Sequence, residues 1–170
     1  MARLFVAAWP PAELTGDLTG LPRKNRPGIK WVEPENWHVT LRFLGDADPD
    51  EVAQRLGQVE FEPTPVRYGP AIDVFMERVI IVPVHGLDGL ANTVVGATAD
   101  LGTEPPRARF SGHLTVARLR PHARIPNVIG ALVGAKDVIG RVELVESRLR
   151  PDGPQYETVA GWEANSPGES

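Results

Sequence analysis

Two short segments of the chain repeat the same order of residue types. WHVTLRFLG occupies residues 37–45, and GHLTVARLR occupies residues 112–120. Each holds a histidine, an aliphatic residue, a threonine and a second aliphatic residue, with an arginine downstream. Two of the chain's four histidines, His38 and His113, therefore stand two residues before a threonine. Chance alone rarely produces such a repeat.

The spacing of these motifs predicts chemistry if both lie on β-strands. Side chains two residues apart on a strand point to the same face, so His38 would stand beside Thr40 and His113 beside Thr115. In-line hydrolysis of a phosphodiester needs a base at the entering water and an acid at the leaving oxygen. Imidazole, with an unperturbed pKa of about 6.5, suits both roles, and a threonine hydroxyl donates to phosphate oxygens. We predict these four residues to be catalytic, although the motifs alone do not distinguish acid from base.

Metal binding is the main alternative for a pair of histidines. Ligand histidines need further imidazoles or carboxylates around one ion, and the chain has neither His-x-His nor His-Glu-x-x-His. We therefore predict no metal and no other cofactor. Ser111 lies near His113 but lacks a nucleophile-elbow pattern, which disfavours a serine triad. His85 and His122 have no threonine partner and are expected to be ordinary surface histidines.

Composition limits the other possibilities. The 170 residues carry a formal net charge of -4, so the chain lacks the global positive charge of a non-specific nucleic-acid binder. The absence of cysteine excludes disulfides, thiolate zinc sites and a cysteine nucleophile. The apolar run at residues 4–9 is too short for a signal-peptide core or a membrane span. These features predict a soluble, cytoplasmic protein.

The periodicity of apolar residues predicts the elements that must position the motifs. Strands are predicted at 4–8, 37–44, 66–75, 79–84, 113–119, 138–149 and 156–162. Helices are predicted around 13–21, after the N-cap Asp48, over 87–101 with Gly102 as its stop, and as a short piece at 128–133. Successive strands, often as hairpins, favour an α+β fold with antiparallel sheet. Residues 1–164 are predicted to form one domain, and residues 165–170 a flexible tail.

Four segments, in order, carry a more specific resemblance. They are RLFVAAWPP from residue 3, KWVEPENWHVTLRFLGD from residue 30, RFSGHLTVARLR from residue 109 and LVESRLRPDGPQY from residue 144. The chain resembles the 2H phosphoesterase superfamily and, within it, the bacterial and archaeal RNA 2′,3′-cyclic phosphodiesterases, also called 2′-5′ RNA ligases. The resemblance implies a bilobed, pseudo-two-fold symmetric fold with two antiparallel sheets around a central cleft and helices outside. Each lobe would contribute one His-x-Thr strand.

The same resemblance implies an activity. It is the metal-independent hydrolysis of RNA or nucleotide 2′,3′-cyclic phosphates to a 2′-phosphomonoester, with His38 as proton donor and His113 as the base for water. RNA ends or cyclic nucleotides would be the partners of a monomer that needs no other protein. Two alternatives stay open. One is reversible 2′-5′ RNA ligation, and the other is an RNA-end binding module without turnover, against which the retention of both histidines and both threonines argues.

Three residues near the motifs are candidates for substrate binding. Arg118 occupies the family's position just after the second motif, and Arg42 and Phe43 follow the first. The alternatives are salt bridges for the arginines and core packing for Phe43. Gly112 stands where many relatives have proline, so we expect a looser entry into the second strand.

Overall fold

The computed structural model describes residues 2–165. Its strands are β1 (Ala2–Ala8), β2 (Ile29–Trp31), β3 (Val39–Ala47), β4 (Thr64–Tyr68), β5 (Asp73–Phe75), β6 (Val79–His85), β7 (His113–Leu119), β8 (Ala135–Ile139), β9 (Arg141–Arg150) and β10 (Gly153–Glu163). Three α-helices are α1 (Ala12–Thr19), α2 (Pro49–Leu56) and α3 (Asp88–Thr98), and Pro34–Asn36 forms a 3-10 turn. The predicted α+β class is confirmed.

The strands form two antiparallel halves that meet in the middle. The hydrogen-bonded order is β10-β9-β1-β3-β7-β6-β4-β8, with β2 added to β7 and β5 added to β6. β3 and β7 share a single residue pair, Val39 with Leu114. We call the β10-β9-β1-β3 half the first lobe and the half containing β7, β6, β4 and β8 the second lobe. Because one pair joins them, the lobes diverge from that point.

The two halves repeat one folding unit. A strand, a helix and an antiparallel partner strand occur in the same order as β1-α1-β3 and as β6-α3-β7. Each helix reaches the opposite lobe: α3 packs against β3, while Asp17 on α1 accepts a hydrogen bond from the Gly134 backbone at 3.2 Å. The order of elements therefore gives the pseudo-two-fold symmetry that the sequence resemblance implies.

Local sequence explains where the helices begin and which face they bury. The side chain of Asp48 accepts a hydrogen bond from the Asp50 backbone at 3.0 Å, and Pro49 takes the first helical position. In α3, the predicted apolar face is buried through Leu90 and Val94. This helix ends at Thr98, before the predicted stop at Gly102.

Three predicted elements differ from the structure. Residues 127–130 form a turn and Leu132 forms an isolated bridge with Ala71, so the helical piece predicted at 128–133 is wrong. The predicted strand 138–149 is two strands separated at Gly140, because β8 pairs with β4 in the second lobe and β9 pairs with β1 in the first. The predicted strand 66–75 is likewise divided into β4 and β5. The periodicity of apolar residues along the chain does not show where the chain crosses from one lobe to the other.

The end of the described chain is hydrogen-bonded to the segment between α2 and β4. Asn165, the first residue of the predicted tail, donates its backbone N–H to Phe61 at 2.9 Å and its side chain to Glu62 at 3.0 Å. The rest of that predicted tail lies outside the described residues. Within residues 2–165, no helix is long and apolar enough to cross a membrane.

Candidate active site

The two histidine motifs meet where the lobes join. Val39 and Leu114, the residues just after the two histidines, are the paired residues of β3 and β7. The residues on either side of this pair are His38 and Thr40 in the first motif, and His113 and Thr115 in the second. Residues that flank a paired residue share the strand face opposite to it. Thus all four predicted catalytic residues lie on one face at the lobe junction.

Both strands carry a β-bulge at the same distance from the histidine. On β3, Thr40 pairs with Ala7 and Arg42 pairs with Val6, so one extra residue lies between them. On β7, Thr115 and Ala117 likewise pair with two consecutive residues of β6. A bulge shifts the alternation of faces by one residue. The fifth residue after each histidine, rather than the fourth, therefore returns to the histidine face.

These bulges separate the two arginines that follow the motifs. Arg118 is the fifth residue after its histidine and is exposed on the histidine face. Arg42 is the fourth and is only 4% exposed. Its guanidinium donates to the backbone carbonyls of Phe43, Glu104 and Leu101. Arg42 thus fastens the segment after α3 to β3, which corrects the expectation that it binds substrate.

Phe43, the counterpart of Arg118 in the first lobe, is half-buried on the histidine face. It packs in the same apolar cluster as Phe5, whose ring stacks on His38. The guanidinium of Arg3 lies 5.0 Å from the centre of the Phe43 ring. Phe43 therefore lies beside the site with part of its ring already covered.

His38 is enclosed by aromatic rings and bonded at both nitrogens. Phe5 stacks on the imidazole with ring centres 4.7 Å apart, while Trp9 and Tyr156 approach edge-on at 5.9 and 5.3 Å. Nδ1 lies 2.7 Å from the Asn36 carbonyl oxygen, and Nε2 lies 3.0 Å from Thr40 Oγ1. Because a carbonyl only accepts, Nδ1 carries a hydrogen, and Nε2 is left to exchange a proton.

His113 has the same backbone contact in a more open setting. Its Nδ1 lies 2.8 Å from the Ser111 carbonyl oxygen, again two residues upstream, so its reactive nitrogen is also Nε2. Phe75 stacks on the ring with centres 5.3 Å apart. Among the described residues, none hydrogen-bonds to Nε2. That nitrogen is therefore available to a water molecule.

The entry into β7 is closely packed rather than loose. Val84 donates its backbone N–H to the Gly112 carbonyl at 3.0 Å, and a Cβ on Gly112 would lie 2.5 Å from the Val84 oxygen. Such a distance leaves no room for a side chain. Glycine at this position thus permits the close approach of β6 that holds His113, and the expected loosening is not found.

The surroundings favour the neutral form of both histidines. Burial lowers the pKa of His38 below its ordinary value of 6.5, the Asn36 carbonyl opposes this, and the positive charges of Arg118 and His113 add to it. Burial also lowers the pKa of His113, against the Ser111 carbonyl, with further lowering from Arg107 and Arg118. Arg118 thus acts on both imidazoles. A positive charge that acts on both histidines is well located for an anionic substrate.

The sequence motifs did not identify the aromatic residues around His38. Phe5 and Ala7 alternate on β1, and Trp9 follows at the same spacing one residue beyond its end, so one face was expected for all three from the sequence. Trp9 is held by Glu143, which accepts from its indole N–H at 2.6 Å. Glu143 comes from β9, so its role depends on pairing that local sequence does not show.

A metal ion would need further ligands beside the two histidines. Within residues 2–165, no group of three or more His, Cys, Asp or Glu side chains is placed to hold a metal ion.

Comparison with known proteins places this fold and site in one family. The family model "LigT like Phosphoesterase" matches residues 9–69, which include the first histidine motif. An RNA 2′,3′-cyclic phosphodiesterase of Aeropyrum pernix is 30% identical over 88% of this chain and 91% of its own length. A relative of the same name from Thermus thermophilus is 31% identical over 91% of this chain and 86% of its own.

Solved structures agree with this relationship. The crystal structure of a Thermus thermophilus protein, TT0787, superposes with a TM-score of 0.78 at 29% identity, covering 95% of this chain and 97% of that one. Escherichia coli LigT complexed with 3′-AMP shares the fold, with a TM-score of 0.77 at 23% identity over 97% of this chain and 99% of its own. This chain is therefore a member of the LigT-like phosphoesterase family, to which the RNA 2′,3′-cyclic phosphodiesterases belong.

Proposed function

We propose that this protein hydrolyses 2′,3′-cyclic phosphates at RNA ends or on nucleotides to 2′-phosphomonoesters, with His38 and His113 as acid and base and without a metal. One observation carries the proposal. Two imidazoles, one from each lobe, have Nδ1 bound to a backbone carbonyl and Nε2 left for proton transfer, with a threonine beside each on the same face. The RNA 2′,3′-cyclic phosphodiesterase relatives supply the class of substrate.

The reaction divides between the two lobes. Nε2 of His113 takes a proton from a water molecule, and the water oxygen forms a bond to phosphorus. The bond from phosphorus to the ribose 3′-oxygen breaks on the opposite side, and Nε2 of protonated His38 gives that oxygen its proton. His113 then loses a proton to solvent and His38 gains one, which restores both groups for the next cycle.

The hydroxyls and Arg118 act on the charge of the phosphate. Before substrate binds, Nε2 of protonated His38 donates to Thr40 Oγ1. With substrate bound, Nε2 donates instead to the leaving oxygen, and the Thr40 hydroxyl donates to a phosphate oxygen. Thr115 donates in the same way from the second lobe. Such donors stabilise charge that develops in the transition state. Arg118 attracts the anion, and Phe43 is the remaining candidate for contact with the ribose or base.

Hydrolysis of a 2′,3′-cyclic mononucleotide in excess EDTA tests the proposal. We expect wild-type turnover to persist in EDTA, and His38→Ala and His113→Ala each to lower kcat by about 10²- to 10⁴-fold. His122→Asn is the matched control, because His122 is exposed beyond the end of β7 and has a φ of 66° that asparagine tolerates. Its kcat should match the wild type.

Each part of the proposal has its own contrary result. Loss of activity in EDTA would overturn the metal-free mechanism. Undiminished activity in either alanine variant would overturn the two-histidine assignment. Tight binding of RNA ends without any wild-type turnover would identify a binding module instead. A 3′-phosphomonoester product would reverse which ester bond breaks.

A further inference from the structure

Two cavities flank the histidine cleft, one in each lobe, and their charges are opposite. The first-lobe cavity, of about 710 Å³, is lined by Trp9 and Tyr156 beside His38 and carries Glu33, Glu35 and Asp152 against a single arginine, Arg150. The second-lobe cavity, of about 720 Å³, is lined by residues of β4, β6 and β8. Its charged side chains are Arg67, Lys136 and a single carboxylate, Asp137, and His85 lies beside them.

The basic side chains of the second-lobe cavity form one row across three strands. Arg67 on β4 is the register partner of His85 on β6 and also of Lys136 on β8. Directly paired residues point to the same face of a sheet, so Lys136, Arg67 and His85 stand side by side. We call these three residues the basic row. All three are exposed, as expected for His85 from the sequence.

The basic row lies on the same face of the sheet as the catalytic histidine of this lobe. His113 pairs with Pro83 on β6, and His85 is two residues further along that strand. Residues two apart on a strand share a face. The spacing between strands and the rise along a strand place His85 about 8 Å from His113. The row therefore begins next to the cleft and runs away from it.

Arg67 and Lys136 of the basic row differ from some other surface cations, because they form no ion pair within residues 2–165. Arg55, Arg141 and Arg148, on other surfaces, each pair with a carboxylate. No carboxylate in the described part of the chain forms an ion pair with Arg67 or Lys136. Like charges directly opposed across strands are destabilising, so an anion between them would relieve this repulsion. Exposed Val138 and Pro65 provide an apolar floor beside the row.

We propose that the basic row binds the phosphates of the RNA chain upstream of the cyclic end. This inference rests on the proposed function, because it assumes that the cyclic phosphate lies between His38 and His113. The carboxylates of the first-lobe cavity repel a polyanion, which directs the chain across the second lobe. The protein's net charge of -4 makes such a local basic track the means of holding RNA.

The test compares one terminal nucleotide with and without a chain behind it. We would measure kcat/KM for 2′,3′-cyclic AMP and for a six-residue oligoadenylate with the same cyclic end, from about 50 to 300 mM salt. The wild type should prefer the oligomer at low salt. The double variant Arg67→Gln, Lys136→Gln should lower the ratio of oligomer to mononucleotide roughly tenfold. For the oligomer, log kcat/KM should fall linearly with the logarithm of the salt concentration. Loss of two phosphate contacts should make this slope shallower by about 1.4.

A double variant with the same change of charge provides the control. Arg55→Gln with Arg148→Gln removes one positive charge from α2 and one from the face of β9 that is opposite the histidines. This variant should keep the wild-type ratio of oligomer to mononucleotide and the wild-type salt slope. Thermal melts of both double variants check that each is folded.

The possible results separate this inference from the proposed function. A wild-type enzyme that hydrolyses both substrates equally, or an Arg67, Lys136 double variant that keeps the oligomer preference, would overturn the basic row as an RNA site while leaving the proposed function intact. If neither substrate is hydrolysed, the proposed function fails. Binding of a labelled oligoadenylate to the wild type and the double variant then decides the basic row separately.

Discussion

The two histidine sites share their backbone geometry and differ in their surroundings. In each, a carbonyl two residues upstream fixes Nδ1, and a bulge follows the threonine. His38 is packed among Phe5, Trp9 and Tyr156, with Thr40 bonded to Nε2. His113 has one stacked ring, and among the described residues no side chain bonds to its Nε2. The two lobes share the backbone features that belong to the repeated motif. They differ in the side chains that other segments place around each histidine.

This difference explains how one repeated motif can supply both an acid and a base. Fixing Nδ1 makes Nε2 the reactive nitrogen in each lobe, which gives both histidines the same tautomer. The neighbours then decide what each nitrogen meets: a threonine hydroxyl in the enclosed first lobe, and open space for water in the second. The predictions below test how far the two sites are equivalent, beginning with the largest expected effect.

The two threonines should be equivalent in rate and different in pH dependence. Thr115→Val and Thr40→Val each remove a hydroxyl that donates to the phosphate, so we expect kcat to fall by about 10²- to 10³-fold. Only Thr40→Val also removes the partner of His38 Nε2, so only this variant should displace a limb of the pH profile.

Steady-state kinetics from pH 4.5 to 8 on both variants gives both quantities. Valine has the shape of threonine, so the control for packing is built into the substitution. If kcat stays within about threefold of wild type, the threonines pack rather than donate.

The two arginines after the motifs should behave oppositely. Arg42→Met leaves three backbone carbonyls without a donor, so we expect the free energy of unfolding to fall by about 2–4 kcal/mol. Arg118→Met, on an exposed side chain, should change stability by less than about 0.5 kcal/mol and should instead raise KM.

Urea unfolding and kinetics on the same preparations separate these effects. Arg42→Met assayed well below its melting temperature should retain turnover for each folded molecule. A stable Arg42→Met protein with a raised KM would return Arg42 to the substrate site.

The case of the arginines shows where sequence reasoning succeeds and where it ends. Alternation of apolar residues placed His38 beside Thr40, and His113 beside Thr115, because a strand has a period of two over that distance. The same rule fails one residue later, since each bulge depends on how β1 or β6 pairs with the motif strand. Arg42 is four residues after His38 and still belongs to the repeated motif. The face to which it points is nevertheless decided by the pairing of its strand with a partner strand.

The fold has the same division. Asp48 and Pro49 mark the start of α2 within three residues of sequence, so that helix was predicted correctly. Residues 138–149 have the apolar content of one strand, yet the chain leaves β4 and joins β1 at Gly140. Likewise, Arg67 and Lys136 are 69 positions apart, and only the register of β4 with β8 brings them together.

The smallest expected effect is the most direct measure of the asymmetry between the two histidines. Because the pKa of each is lowered from 6.5, the bell-shaped profile of kcat/KM, which reports the free enzyme, should have its maximum below pH 6.5. Activity falls on the acid side as the base is protonated, and on the alkaline side as the acid loses its proton. A maximum above pH 6.5 would contradict at least one of the two shifts.

Removing one positive charge at a time then shows which histidine each arginine affects. Arg118 lowers the pKa of both histidines, so Arg118→Gln should move both limbs of the profile to higher pH. Arg107 lowers the pKa of His113 and is not a cause of the shift at His38. Arg107→Gln should therefore move one limb of the profile to higher pH and leave the other in place. The limb that moves in Arg107→Gln belongs to His113, and the limb that Thr40→Val displaces belongs to His38. If both variants displace the same limb, the two histidines titrate as one coupled pair, and the division of roles between the lobes is lost.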